Sequence, residues 1–273
     1  MYRYIGIRGH RGSGKSSISI LLALALDSLV KNKGTFSENF DSLYDSTVAE
    51  IKLGKKLSEF FVDNCQIDTF AEEMFTQIKM IFGIPIDYCY DDDKKDSIIV
   101  NLRTFEYEED SEYFPKNELV SAKAYFEQRN AEIDCEENPR KIRINTYMTL
   151  RELIVYYGLI MKSFFGANVW LKSMQQSSKE FEEFYANDFD VFKIYSDVKF
   201  TSEVDYIKDK QGIIINTVRS KMAKPNFETS TNLTYDTRID FEIDYTEICE
   251  SETREIIKDL AKKVLNYCID EDK

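Results

Sequence analysis

Histidine occurs once in this chain of 273 residues, as His10, and proline only four times. Glycine is also scarce, at ten, and these low counts exclude collagen-like and low-complexity architectures. The five cysteines, Cys65, Cys89, Cys135, Cys249 and Cys268, include no Cys-x-x-Cys pair. That argues against a zinc site or a disulfide framework and for reduced thiols in a cytoplasmic protein. No apolar run approaches the roughly 20 residues that a membrane helix needs. The longest, from Ile18 to Leu26, ends at Asp27. No secretory leader is expected, because Met1 to Arg8 leads straight into a motif without a cleavage site. Basic residues are outnumbered, 36 to 49, which leaves a formal charge of −13. A general duplex-DNA binder draws its affinity from phosphate neutralisation, so this balance excludes that class unless a local basic patch is hidden in the total.

What is present is a folded chain: 43% of residues are hydrophobic and 14% aromatic. The length suits one large domain or one and a half. The acid is unevenly spread, since residues 88–139 hold 15 acidic and 6 basic residues, a net of −9. An insertion is therefore expected over 88–147, acting as a cap or lid, between a core segment 1–87 and the rest of the core, 148–273. Ile98, Ile99 and Val100, with Phe105, Tyr107 and Tyr113, argue that it is structured rather than a tail.

The hydrophobic pattern alternates strands and helices. Strands are expected at 2–8, 65–70, 97–107 (as a strand or a hairpin), 141–147, 191–195, 212–218 and 239–244. Helices are expected at 16–30, 47–61, 71–82, 118–128, 149–165, 167–185, 201–210 and 250–268. Thr149 with Glu152 reads as a capping box. This order predicts an α/β fold with a parallel sheet.

Gly9-His10-Arg11-Gly12-Ser13-Gly14-Lys15-Ser16 fits G-x-x-x-x-G-K-[ST] between the first strand and first helix. The glycines permit close backbone approach, and the helix N-terminus faces an anion. In this P-loop pattern Lys15 reaches the β/γ-phosphates and the Ser16 hydroxyl serves Mg²⁺. The motif predicts nucleotide binding through Gly12, Ser13, Gly14, Lys15, Ser16 and Ser17. His10 reads as the filler of a variable loop position. No Asn-Lys-x-Asp is present to read guanine, nor four apolar residues followed by Asp-Glu. The nearest acid of the second kind is Asp197, just past the strand Val191–Tyr195, at the ligand-binding edge of an α/β sheet.

Several segments in order resemble the deoxynucleoside monophosphate kinase family of tailed phages. They are the P-loop with Arg11 inside it; Gln66 to Phe75 continuing to Ile81-Phe82-Gly83-Ile84-Pro85; Thr149-Leu150-Arg151-Glu152-Leu153 with Gly158 and Asn168-Val169-Trp170; Ser196 to Glu203 with Lys208, Gly212 to Ile215 and Arg219; and, more weakly, Ile239 to Ile243. The resemblance implies a three-layer P-loop kinase that moves the γ-phosphoryl group of ATP, with Mg²⁺, to a deoxynucleoside monophosphate. It implies donor phosphates on Gly12 to Ser17, with Arg11 facing the acceptor phosphate and Arg151 as a catalytic clamp beside Lys15. It places Gly158 and Trp170 along the acceptor pocket, and gives Asp197, Lys199 and Glu203 acceptor contacts. Ser16 and Asp197 would serve the metal, and a homodimer is the expected state. The chain departs from the family pattern at Glu73 and Phe75, where the family has Pro and Lys, at Leu159, where it often has Thr, and at Lys199, where it has Arg.

The same residues have plainer readings. Arg151 can be a solvated helix charge, Trp170 core packing, and Lys199–Glu203 an i,i+4 ion pair. Arg140, Lys141 and Arg143 read as a solvated basic face. Asp197 is harder to explain away, because an acid after a buried strand needs a cation or a hydrogen bond. Two rivals stand beside the monophosphate kinase: a P-loop kinase of another acceptor, such as a nucleoside or a modified base in DNA, and a nucleotide-binding regulator without turnover. The basic residues Arg11, Lys15, Arg151, Lys199 and Arg219 lie where phosphates are expected. The acidic total thus points to a free nucleotide as partner rather than a polymer or a membrane.

Overall fold

The computed structural model describes residues 2–10, 12–55, 60, 62–109, 114–115, 118–127, 146–166, 168–184, 191–219 and 238–270. The chain divides into two compact units, Met1–Phe70 with Gln175–Lys273, and Ala71–Met174. The boundaries expected from charge, 88 and 147, both fall inside the second unit.

The first unit is built on five parallel strands, β1 (Tyr2–Gly9), β2 (Cys65–Asp68), β6 (Val191–Tyr195), β7 (Ile213–Val218) and β8 (Phe241–Asp244), in the order β2-β6-β1-β7-β8. Burial on both sheet faces makes β6 and β7 near-continuous apolar runs. Alternation along β1 sends Ile5 and Ile7 to one face, where helix α1 (Lys15–Lys31) lies with α2 (Phe40–Lys52) and α8 (Ser251–Asp270). Helix α1 is apolar nearly all round because it is sandwiched there; Ile18, Leu21, Leu22, Leu26 and Leu29 are fully buried. Each such side chain stabilises the fold by about 2 kcal/mol.

Gly6 faces the opposite side. A Cβ on it would stand 2.5 Å from Ile207 Cδ1, 2.8 Å from Ile214 Cδ1 and 2.9 Å from Val198 Cγ2. Glycine there lets helix α7 (Thr201–Asp209) close onto the sheet, so helices flank both faces. The expected α/β class with a parallel sheet is the one found. Because the strands are parallel, the segments after Gly9, Asp68, Tyr195, Val218 and Asp244 emerge at one edge. The chain leaves β1 toward β2 and β7 toward β8, on opposite sides of β1, and ligands of open α/β sheets bind at such a reversal.

The second unit holds an antiparallel sheet of order β4-β3-β5, formed by β3 (Ile99–Asn101), β4 (Glu106–Glu108) and β5 (Tyr147–Thr149). The expected hairpin over 97–107 is β3 with β4. Helices α3 (Glu72–Phe82), α4 (Asp92–Ser97) and α5 (Leu150–Phe165) belong to this unit, whose core contains Phe75, Ile78, Phe82, Ile98, Val100, Met148 and Leu153. The acidic segment is thus structured as far as it is described; Tyr113, Cys135, Arg140, Lys141 and Arg143 lie outside the described residues. Helix α6 (Val169–Phe184) follows.

Some local expectations change: in place of the strand expected at 141–147, β5 covers Tyr147–Thr149, and 141–145 lie outside the described residues. The helix expected at 47–61 is instead α2, which begins at Phe40, where Phe36, Phe40 and Tyr44 form an aromatic ladder against the first core, and ends at Lys52; 53–55 are not helical, and 56–59 and 61 lie outside the described residues. Thr149 does cap α5, accepting the Glu152 N–H at 3.2 Å, but the Glu152 carboxylate accepts the Ala122 N–H at 2.7 Å. Among the described residues, no single helix is long and apolar enough to cross a membrane.

Candidate functional site

The motif segment runs from the carboxyl end of the central strand into α1. Gly12 and Gly14 have φ of 77° and 74°, a region that disfavours any side chain. Helix α1 has no side-chain cap and no acid in its first turn, so its positive end is not neutralised locally. Lys15 folds back along the loop, its ammonium donating to Gly9 O at 3.0 Å and His10 O at 2.9 Å. His10, Gly12 and Ser16 are exposed, Ser17 is half-buried and Ser13 is buried. Arg11 lies outside the described residues. A cationic side chain, an exposed hydroxyl and an uncapped helix N-terminus converge on one short loop, which is the physical requirement for holding an anion.

The register brings β6 to the same edge, because Gly6 pairs with Tyr195 and the Val198 N–H donates to Ile7 O at 3.1 Å. Asp197 therefore stands beside the end of β1. One of its oxygens accepts the Phe70 N–H at 2.9 Å, and the other lies 3.7 Å from Lys199 Nζ. The expected ion pair between Lys199 and Glu203 is replaced by a different arrangement. Glu203 accepts the backbone N–H groups of Lys199 at 2.6 Å and Phe200 at 2.9 Å, capping α7 and shaping the turn that presents Asp197.

Glu203 is 8% exposed. Burial, reinforced by the Asp197 charge and partly offset by the two N–H donors, pushes its carboxyl up to about 7. Between the ordinary glutamate range and that value, the folded chain binds more protons than the unfolded one. This group's contribution to stability is therefore complete below its unfolded pKa and is lost as pH rises through about 7. The melting midpoint of the wild type is expected to fall relative to Glu203→Gln as pH rises from about 5 to about 8, a difference on the order of 2 kcal/mol. Parallel profiles for the two proteins would show that Glu203 does not titrate there.

In the second unit, Arg151 near the start of α5 forms a fork with Asp96 at 2.5 and 2.9 Å, and its Nη2 also lies 3.3 Å from Asp92 Oδ1. Both acids belong to the acidic segment, which thereby neutralises this arginine. Gly158 is half-buried on α5, and a Cβ there would meet Met74 Sδ at 3.6 Å. Trp170 lies 6.1 Å from the Tyr157 ring, and its buried indole N–H has no hydrogen-bond partner among the described residues. Phe75, at a position where the resembled family carries lysine, is a core residue packed edge-on to Tyr90. Leu159 is partly exposed.

The structure also brings in residues that motif reading passed over. Thr217 and Tyr245 contact the loop from β7 and from just past β8. Arg8 is buried at the end of β1. Fully buried Lys193 lies 3.0 Å from Asp68 at the carboxyl end of β2. A lysine inside the run Val-Phe-Lys-Ile-Tyr was the one signal of this kind in the sequence. Among the described residues, no group of three His, Cys, Asp or Glu forms a metal cage. A divalent ion at this edge would draw on the Ser16 hydroxyl, Asp197, ligand phosphate oxygens and water, the mixed set that Mg²⁺ favours. No protein-family model matches the sequence, and comparison with curated proteins finds no match.

Proposed function

We propose that this chain is an ATP-dependent kinase of the P-loop type, which transfers a phosphoryl group to a deoxynucleoside monophosphate and releases two diphosphates. The observation that carries the reading is the loop 9–16. It leaves the central parallel strand at the topological reversal, with Lys15 lying along it and Asp197 at the end of the neighbouring strand.

In this reading an oxygen of the acceptor phosphate bonds to the γ-phosphorus as its bond to the bridging β,γ-oxygen breaks, and ADP carries away the electron pair. Catalysis of such a transfer is positioning and charge neutralisation. The loop N–H groups and Lys15 hold and neutralise the donor phosphates. Ser16 and Asp197 would hold Mg²⁺, which supplies a counter-charge when bound. Lys199 would face the acceptor's phosphate. Glu203 serves chiefly by holding the Asp197 turn.

A second reading is favoured by two observations: Arg151 is occupied by carboxylates, and Phe75 is a core residue. It is a nucleotide-binding regulator without turnover. Incubating the purified protein with Mg-ATP and each common deoxynucleoside monophosphate separates the two. The kinase reading expects ADP release that depends on one or more of the monophosphates. Nucleotide binding without any such release would instead establish the regulator.

A further inference from the structure

The loop between β1 and α1 is held from two strands remote in sequence. Thr217, on β7, donates its hydroxyl to Arg8 O at 3.0 Å and lies 2.8 Å from Ser13 Oγ. Tyr245, just past β8, donates its hydroxyl to Ser13 O at 2.8 Å. One residue in the middle of the loop is thus captured at both its side chain and its carbonyl, and all three residues are buried. The Tyr245 hydroxyl also fills the space that a Cβ on Gly14 would need. The Arg219 guanidinium lies 5.7 Å from the Tyr245 ring and is itself tied to Thr246 O and Glu247, so the phenol is held in turn.

Ser13 O and the Gly14 N–H belong to one planar trans peptide and point in opposite directions. Drawing the carbonyl onto the phenol turns the Gly14 N–H away from Tyr245. Without that bond, the glycine on the far side of the peptide leaves the plane free to rotate.

We propose that Tyr245, supported by Thr217, is a positioning residue for phosphate recognition, fixing the Ser13–Gly14 peptide so that its N–H faces the anion. The inference rests on the nucleotide reading given above. A donor fixed in advance adds affinity because its ordering is not charged against binding. The effect is confined to ligands that carry phosphate in the loop.

The test measures MgATP and adenosine affinities of the wild type, Tyr245→Phe and Thr217→Val by calorimetry and competition, alongside their ligand-free melting midpoints. Tyr245→Phe keeps the ring and loses only the donor. Its MgATP dissociation constant is expected to rise about fivefold to tenfold, with adenosine unchanged, in line with one lost hydrogen bond. Thr217→Val is expected to shift the same ratio in the same direction, and it carries the test if Tyr245→Phe does not fold. An unchanged ratio of MgATP to adenosine affinity in the variants would overturn the positioning role while leaving the nucleotide reading intact. A wild type that binds no MgATP would overturn both.

Discussion

Lys15→Ala is expected to lower phosphoryl transfer by about a thousandfold, the scale seen when a preorganised charge donor is removed from a transition state. The ammonium lies along the loop against Gly9 O and His10 O, within the segment that the anion would occupy. Lys15→Met keeps most of the stem and is expected to lose as much activity as Lys15→Ala. The melting midpoint should shift by no more than about 3 °C in either variant, the usual consequence of a surface substitution. Lys15→Arg tests charge against geometry. The planar fork cannot reproduce a compact ammonium at the same point, so it is expected to recover only a small part of the rate. Full activity in Lys15→Ala would remove the loop from the mechanism.

Asp197→Asn is expected to lower transfer by about a hundredfold and to raise the Mg²⁺ concentration needed for half-maximal rate. Asparagine retains the carbonyl oxygen that accepts the Phe70 N–H, so the turn after β6 should hold its shape. What is lost is the negative charge beside the loop. That charge is also one cause of the raised Glu203 pKa, so the same substitution should lower the pH at which Glu203 titrates. The two effects come from one carboxylate and are read by independent experiments, a magnesium titration and a pH-dependent melt. A normal rate with unaltered magnesium dependence would leave Asp197 as a structural acid that holds Phe70 and nothing more.

Much of the first unit can be read from local pattern. The alternation of β1, the all-apolar α1 and the strand Val191–Tyr195 are each dictated by burial on both faces of a parallel sheet, and their sequences carry that burial directly. The loop is legible because its chemistry demands glycine and lysine at fixed spacing. The brace around it is not. Ser13 meets partners 204 and 232 residues further along the chain, and an isolated threonine and tyrosine announce nothing until the sheet order sets them beside the loop.

The unit boundaries were hidden for a related reason. Charge marks where the acidic segment begins, but packing decides where the unit begins. Phe75 and Ile78 on α3 share a core with Ile98, Val100, Met148 and Leu153, which extends the unit to 71–174. Arg151 shows the limit of reading a motif by resemblance. Its place on a helix could be expected from spacing, whereas its fork to Asp96 depends on how the acidic helix α4 is placed against α5.

The acidic charge of the chain is thus partly spent within the second unit on Arg151, while at the carboxyl edge of the parallel sheet Asp197 and Glu203 are held by backbone N–H groups. The most direct measurement is hydrogen exchange of the wild-type chain during titration with MgATP. The expected result is saturable binding at one site per chain, with protection centred on residues 9–17 and the turn after β6, absent in Lys15→Ala. Saturation without protection of 9–17, or no saturable binding at all, would contradict the assignment of this edge as a nucleotide site.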